Sequence, residues 1–281
     1  GVSSAASDVY KRQENYFNRK EETDQMFRIR IQNKKKCIWY CSAVVSFLLF
    51  LLLLGWTNHL ANTQDAQQMA GRWSEKKDVA QISCFFSSKA EVTEDTIQSF
   101  EYSLKNVLQE ASITETSENP SARLWVDAYS ADGKITLVNG KNTLDANAIG
   151  IGGDFFMFHP LKLITGAYFS GNDLMQDYCI IDQDAAWQLF GSNDVVGMTV
   201  YIGNVPHIVT GVVQRPDSRM DKAAGLNSTV VYVSYETLSA YGTNNGINHY
   251  EIVMPNPVDE FAYGKVKDGI GIDEKNVEIV E

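Results

Sequence analysis

Hydrophobic and polar positions divide the chain into one long apolar run followed by a series of short periodic segments. The run "CIWYCSAVVSFLLFLLLLGW", Cys37 to Trp56, holds 20 residues without a charge and has no polar face. As a helix it rises about 30 Å, the thickness of a bilayer's hydrocarbon core. Residues 57–80 are free of proline and rich in helix formers, which predicts a helical stalk broken near Gly71. "QISCFFSS" reads as a buried strand. Ile97, Phe100, Leu104, Val107 and Leu108 then recur at helical spacing behind the cap-type residues Thr93, Asp95 and Thr96, which predicts a helix over 93–111.

Strand patterns dominate the middle of the chain. "SARLWVDAYS" and "KITLVNG" read as strands around a tight turn at Asp132-Gly133, with Asn139-Gly140 closing the second. "ANAIGIGGDFFMFHPLKLITGAYFSGND" is apolar and glycine-rich, and Pro160 ends its aromatic run. "YCIIDQDAAWQLFG" predicts a strand, then a helix starting near Asp182 or Asp184 and stopping at Gly191. "MTVYIG" and "HIVTGVV" form a hairpin around Gly203-Asn204. "TVVYVSYETLSAYG" gives a strand and a short helix, "HYEIVMP" a strand, "VDEFAYGKVKDGI" a helix and "NVEIVE" a strand. The expected fold class is α+β: a single N-terminal transmembrane helix, then an extracytoplasmic α/β unit (81–171 and 246–281) carrying a β-rich inserted subdomain (172–245). No internal repeat is visible.

Charge gives the apolar run a direction. The net charge of −11 is split: residues 1–36 carry nine Lys/Arg against five Asp/Glu, and the rest carries 15 against 30. No Lys or Arg lies between residue 57 and Arg72. The positive-inside rule therefore places residues 1–36 in the cytoplasm and the bulk outside the membrane. A cleaved signal peptide would have a shorter apolar region nearer the N-terminus. Residues 1–13, "GVSSAASDVYKRQ", lack an apolar period and read as a disordered tail or an assembly scar, outside the fold argument. The acidic bulk argues against nucleic acid as a partner, since phosphate contacts need a basic face.

Catalytic signatures are missing from the sequence. It contains no G-x-S-x-G or H-E-x-x-H arrangement in its outer region, no S-x-x-K accompanied by the S-D-N and K-T-G segments of that triad signature, and no G-x-x-x-x-G-K-[ST] loop. His59, His159, His207 and His249 are scattered, and none has a second ligand type at metal spacing. His207 reads as a satisfied structural histidine. Asp173 and Asp177 in "SGNDLMQD" offer too few oxygens in register for a calcium loop. "GIGGD", residues 150–154, lacks the strand–helix setting of a dinucleotide loop. Phe155, Phe156 and Phe158 read as core. Cys84 and Cys179 read either as one disulfide or as two buried free thiols, while Cys37 and Cys41 fall in the apolar run. Asn227-Ser228-Thr229 is a glycosylation sequon that matters only in a eukaryotic secretory host. On this reading there are no catalytic, cofactor-binding or metal residues, and the chain is not an enzyme.

One ordered set of short motifs remains. Phe155 and Phe156 precede a leucine-containing turn and the G-x-x-F segment Gly166 to Phe169. A strand and a helix ending in Leu189, Phe190 and Gly191 follow, then the Asp194-x-x-Gly197 link, a hairpin, and the Val209-x-Gly211-Val212 strand. In order and spacing, with a single membrane helix ahead, residues 37–281 resemble the extracytoplasmic core domain of MacB/FtsX-type ABC transporter permeases. Ala167, Val195 and Met198 depart from the basic, proline and basic residues usual at those points, which bears on surface contacts and not on the fold. The resemblance implies a non-catalytic permease subunit that couples cytoplasmic ATP hydrolysis to export or to mechanical signalling. It implies as partners an ABC ATPase subunit, a second permease copy in a homodimer, an envelope protein and membrane lipid, with no cofactor. The further membrane helices of such permeases do not follow Glu281 here, so the chain reads as a fragment or a degenerate member. The alternative reading is a membrane-anchored sensor or scaffold whose outer domain binds a ligand.

Overall fold

The computed structural model describes residues 3–61, 65–74, 78–114, 123–215, 223 and 228–281. The chain divides into two units, residues 1–63 and 64–281. The first is one helix, α1 (Ser3–Ala61). Its segment Lys36–Leu60, 25 residues, is long and apolar enough to cross a membrane, the only such helix among the described residues. The helix continues past Trp56, where the Thr57 hydroxyl donates back to the Leu54 carbonyl (3.0 Å).

Among the described residues, the helical stalk expected over 57–80 is helical only as far as Ala61 and again at Met69–Trp73. After a 3₁₀ turn at Asp65–Gln67 come only the five-residue α2 (Met69–Trp73) and then strand β1 (Val79–Phe86). The Gln81 side chain explains the departure. Its amide donates to the Ala66 carbonyl (2.7 Å) and its oxygen accepts from the Met69 amide (2.9 Å), so this segment folds back along β1.

Among the described residues, eleven strands form one sheet. They are β1, β2 (Val126–Asn139), β3 (Asn142–Gly153), β4 (Leu163–Gly166), β5 (Tyr178–Asp182), β6 (Thr199–Ile202), β7 (Val205–Val213), β8 (Val230–Ser234), β9 (Thr243–Asn244), β10 (His249–Pro255) and β11 (Val277–Val280). The order is β11-β1-β10-β2-β3-β8-β5-β7-β4, with β6 paired to both β2 and β7 and β9 to β2. Two regions result. In one, β11, β1, β10 and the first half of β2 pair antiparallel. Helices α3 (Glu94–Glu110) and α7 (Phe261–Gly269) cover one face, burying Ile82, Cys84, Ile97, Phe100, Leu104, Tyr250, Ile252 and Val266. In the other, the pairings β2-β3-β8-β5-β7-β6 return to β2 and close a ring. Closure removes the free strand edges that invite aggregation. Valine, isoleucine and alanine fill the ring, together with α5 (Gln183–Phe190) and α6 (Tyr235–Tyr241). A third cluster joins α2, α4 (Phe155–Phe158) and strand residues Val126, Ile180 and Val253.

The expected turn at Asp132-Gly133 is absent. β2 runs straight through it, with Asp132 opposite Ile149 and Gly133 opposite Ala148. Glycine is needed there for close approach: a Cβ would lie 2.3 Å from the Thr243 carbonyl oxygen and 3.0 Å from Leu238 Cδ1. The true turn is Gly140, at φ 60°. The far half of this long hairpin contributes Ala131, Ile135, Leu137, Ala146 and Ala148 to the ring's core, although it lies outside 172–245. Elsewhere the local signals hold. Asp182 caps α5 by accepting from the Ala185 amide (2.7 Å), Gly191 ends it at φ 74°, and Gly203-Asn204 turns the hairpin with φ 56° and 68°. Asn227 of the sequon lies outside the described residues.

Candidate functional site

Strand periodicity sets a polar cluster on the sheet face opposite α3 and α7. Side chains alternate along a strand, so β1 sends Ile82 and Cys84 into the core under those helices. β10 does the same with Tyr250 and Ile252. Gln81, Ser83, His249 and Glu251 belong to the other face. His159 joins them from the residue after α4, a short helix anchored by the buried rings of Phe155, Phe156 and Phe158. His159 Nε2 lies 2.6 Å from Glu251 Oε2, and His249 Nε2 lies 3.8 Å from Glu251 Oε1. The three ligand-type atoms all fall within 4.8 Å of one another. The Ser83 hydroxyl (3.2 Å) and the Gln81 amide (3.5 Å) donate to Oε1. Phe85 stacks on His249, and Phe155 packs at a tilt against His159, each with centroids 4.7 Å apart.

Charge and burial compete in this cluster. Glu251 is only 5% exposed. Burial pushes its carboxyl up, but His159, His249 and the Ser83 hydroxyl together outweigh that and hold it below its ordinary value. Burial pushes the His249 imidazole down, and His159 adds to this against the pull of Glu251 and Asp132. Local spacing could not show this set, because His159 comes from a different part of the chain. The one signal in the sequence is His249-x-Glu251 on a predicted strand, which puts both residues on one face.

Other titratable groups have structural partners. Beneath α3, the Asp127 carboxylate accepts from the Tyr250 hydroxyl (3.0 Å) and shares a hydrogen bond with Glu101. Burial, then the Asp127 charge, pushes Glu101 up to about 8. His207 is buried with one ring nitrogen 3.0 Å from the Val205 carbonyl and the other 3.1 Å from the Thr237 hydroxyl, as a structural histidine should be. Cys84 and Cys179 are free and sit in different cores, so the disulfide alternative falls away. Burial pushes both thiols up to about 12, Cys84 with help from Glu251, which leaves them poor nucleophiles.

A cleft of about 760 Å³ opens beside the ring, lined by residues including Asn147, Leu161, Lys162, Asp182, Arg215 and Tyr232. Its charged floor is saturated. The Asp182 carboxylate takes the Arg215 guanidinium (2.8 and 3.1 Å), the Val230 amide and the Ala185 amide. Arg215 also reaches Asp184 (2.5 Å) and the Thr229 hydroxyl (2.9 Å). This network joins β5, β7 and β8, and each of its charged groups is engaged by another.

Residues 45–280 match the family model of the MacB-like periplasmic core domain, and the chain belongs to that family. Among curated relatives it is 32% identical over 99 residues to the macrolide export ATP-binding/permease protein MacB of Chromobacterium violaceum, a stretch covering 34% of this chain and 15% of that protein. It is 30% identical over 98 residues to the MacB of Pasteurella multocida, covering 34% and 14%. The chain therefore matches about one seventh of the length of these relatives. Among solved structures, the periplasmic region of MacB from Actinobacillus actinomycetemcomitans aligns with 72% of this chain and 88% of that one, at 20% identity and a TM-score of 0.45. The extracellular domain of the noncanonic ABC-type transporter YknZ aligns with 72% and 100%, at 18% identity and a TM-score of 0.43. The resemblance drawn from the residues, and the mixed α and β fold expected with it, are both met.

Proposed function

We propose that this chain is the membrane anchor and outer core domain of a non-catalytic ABC permease subunit, which carries motion generated by ATP hydrolysis in the cytoplasm to the far side of the membrane. One observation carries the reading: the family match over residues 45–280 begins inside the apolar helix and runs through the whole sheet unit. Anchor and outer domain therefore travel together as one family unit. On this reading an ABC ATPase on the cytoplasmic side supplies the motion, and a second permease copy completes the pore. The N-terminal segment lies in the cytoplasm on this reading, and the sheet unit lies outside.

Co-purification in detergent tests it. The reading frame that encodes this chain, expressed with the ATPase encoded beside it, yields a complex containing both. Recovery of the chain alone, with and without nucleotide, rejects the proposal.

A further inference from the structure

We propose that His159, His249 and Glu251 form a binding site for a divalent transition metal of the zinc type, which fastens the end of α4 to strand β10. The donor set is two imidazoles and one carboxylate, with ligand atoms within 4.8 Å of one another. A tetrahedral zinc with bonds of about 2.0–2.2 Å needs its ligand atoms about 3.3 Å apart, so small side-chain rotations suffice. Nitrogen with one carboxylate oxygen favours zinc, cobalt or copper over magnesium or calcium, which take oxygen.

The second observation is an unmet demand. His159 Nε2, His249 Nε2 and Glu251 Oε2 are all shut off from solvent; the first and last have only each other, and His249 Nε2 has no hydrogen-bond partner among the described residues. Atoms in that state cost stability. An ion pair between His159 and Glu251 brings two of them to 2.6 Å but leaves His249 Nε2 unserved, with the two imidazole rings only 5.8 Å apart. Protonating both rings would set like charges together in a buried place. A single cation satisfies all three atoms at once.

The surroundings are those of a supported metal site. Ser83 and Gln81 occupy Glu251 Oε1 and leave Oε2 for the ion, and Phe85 and Phe155 fix the ring planes of the two histidines. Through Gln81 the site is linked to Ala66 and Met69, the first described segment of the sheet unit. Metal occupancy would therefore set how firmly the chain's entry into that unit is held.

Cobalt spectroscopy on the full chain in detergent tests the proposal. After chelator treatment, Co²⁺ at one equivalent gives a visible d–d absorption band that Zn²⁺ removes, and Zn²⁺ raises the Tm. His249→Ala and Glu251→Gln abolish both responses; His59→Ala, in α1, keeps them. Glu251→Gln preserves side-chain shape, and circular dichroism confirms that it folds. No band and no thermal shift in the parent chain overturns the proposal. So does a band that survives undiminished in both site variants, since the ion would then sit elsewhere.

Discussion

Glu101 and Asp182 show how a buried carboxylate can weaken or strengthen the same domain. Glu101 is half-buried against Asp127, and its folded pKa rises from 4.5 to about 8. A raised folded pKa contributes stability that is fully present below the unfolded value and is lost as pH climbs through the folded one. The Tm of the parent chain should therefore fall between pH 4.5 and about pH 8 by more than that of Glu101→Gln. Thermal melts of both across that window check it, and parallel curves would refute the shared proton. Asp182 is the opposite case, satisfied by a cap, a strand amide and a guanidinium. Asp182→Ala removes the cap and leaves the Val230 amide without its acceptor, while Arg215 keeps Asp184, and should cost about 1–3 kcal/mol, read as a lower denaturation midpoint. The capping role of Asp182 was legible from "IIDQDAAW" because a cap is a local matter. Its salt bridge was not, because Arg215 arrives from the end of β7.

Secondary structure followed the sequence wherever a local signal had no tertiary rival. The 93–111 periodicity, the Gly191 stop and the Gly203-Asn204 turn all appear where the residues place them. Asp132-Gly133 misled because glycine serves two ends. It permits a turn, and it also permits another element to press on a strand, here the Thr243 carbonyl and Leu238. Gly133→Ala should cost about 1–3 kcal/mol through overpacking, whereas a turn glycine with room around it, such as Gly140, would resist alanine chiefly through its φ of 60°. Urea midpoints of the two variants would separate crowding from backbone strain: Gly133→Ala should lose more than Gly140→Ala, because the Thr243 carbonyl is backbone and cannot step aside, and equal losses would refute the crowding. The His159–His249–Glu251 cluster stayed hidden for the same reason as Arg215: its members meet only when α4 is laid over β1 and β10.

The whole molecule is an apolar helix followed by a sheet unit in which β2 and β3 belong to two cores at once. Sequence showed the helix and the mixed fold. It did not show that six strands close into a ring, because closure rests on two β2–β6 residue pairs, Leu137 with Ile202 and Val138 with Tyr201. Membrane orientation belongs to this scale. If the sheet unit lies outside, a cysteine at the exposed position Lys89 should react with a membrane-impermeant maleimide in intact cells. Protection of Lys89→Cys until the cells are lysed would reverse the assigned topology.

Strand β1 has a further consequence for biosynthesis. Both of its partners, β10 and β11, lie far downstream, with Ile82 opposite Ile252 and Ser83 opposite Val280. At 5–20 residues per second the ribosome needs about 10 to 30 s to make the roughly 170 intervening residues. During that interval β1 is an unpaired apolar strand tethered a short way from a hydrophobic helix. The first strand to be made is among the last to be paired, so the nascent chain has its greatest need of a chaperone at the membrane surface.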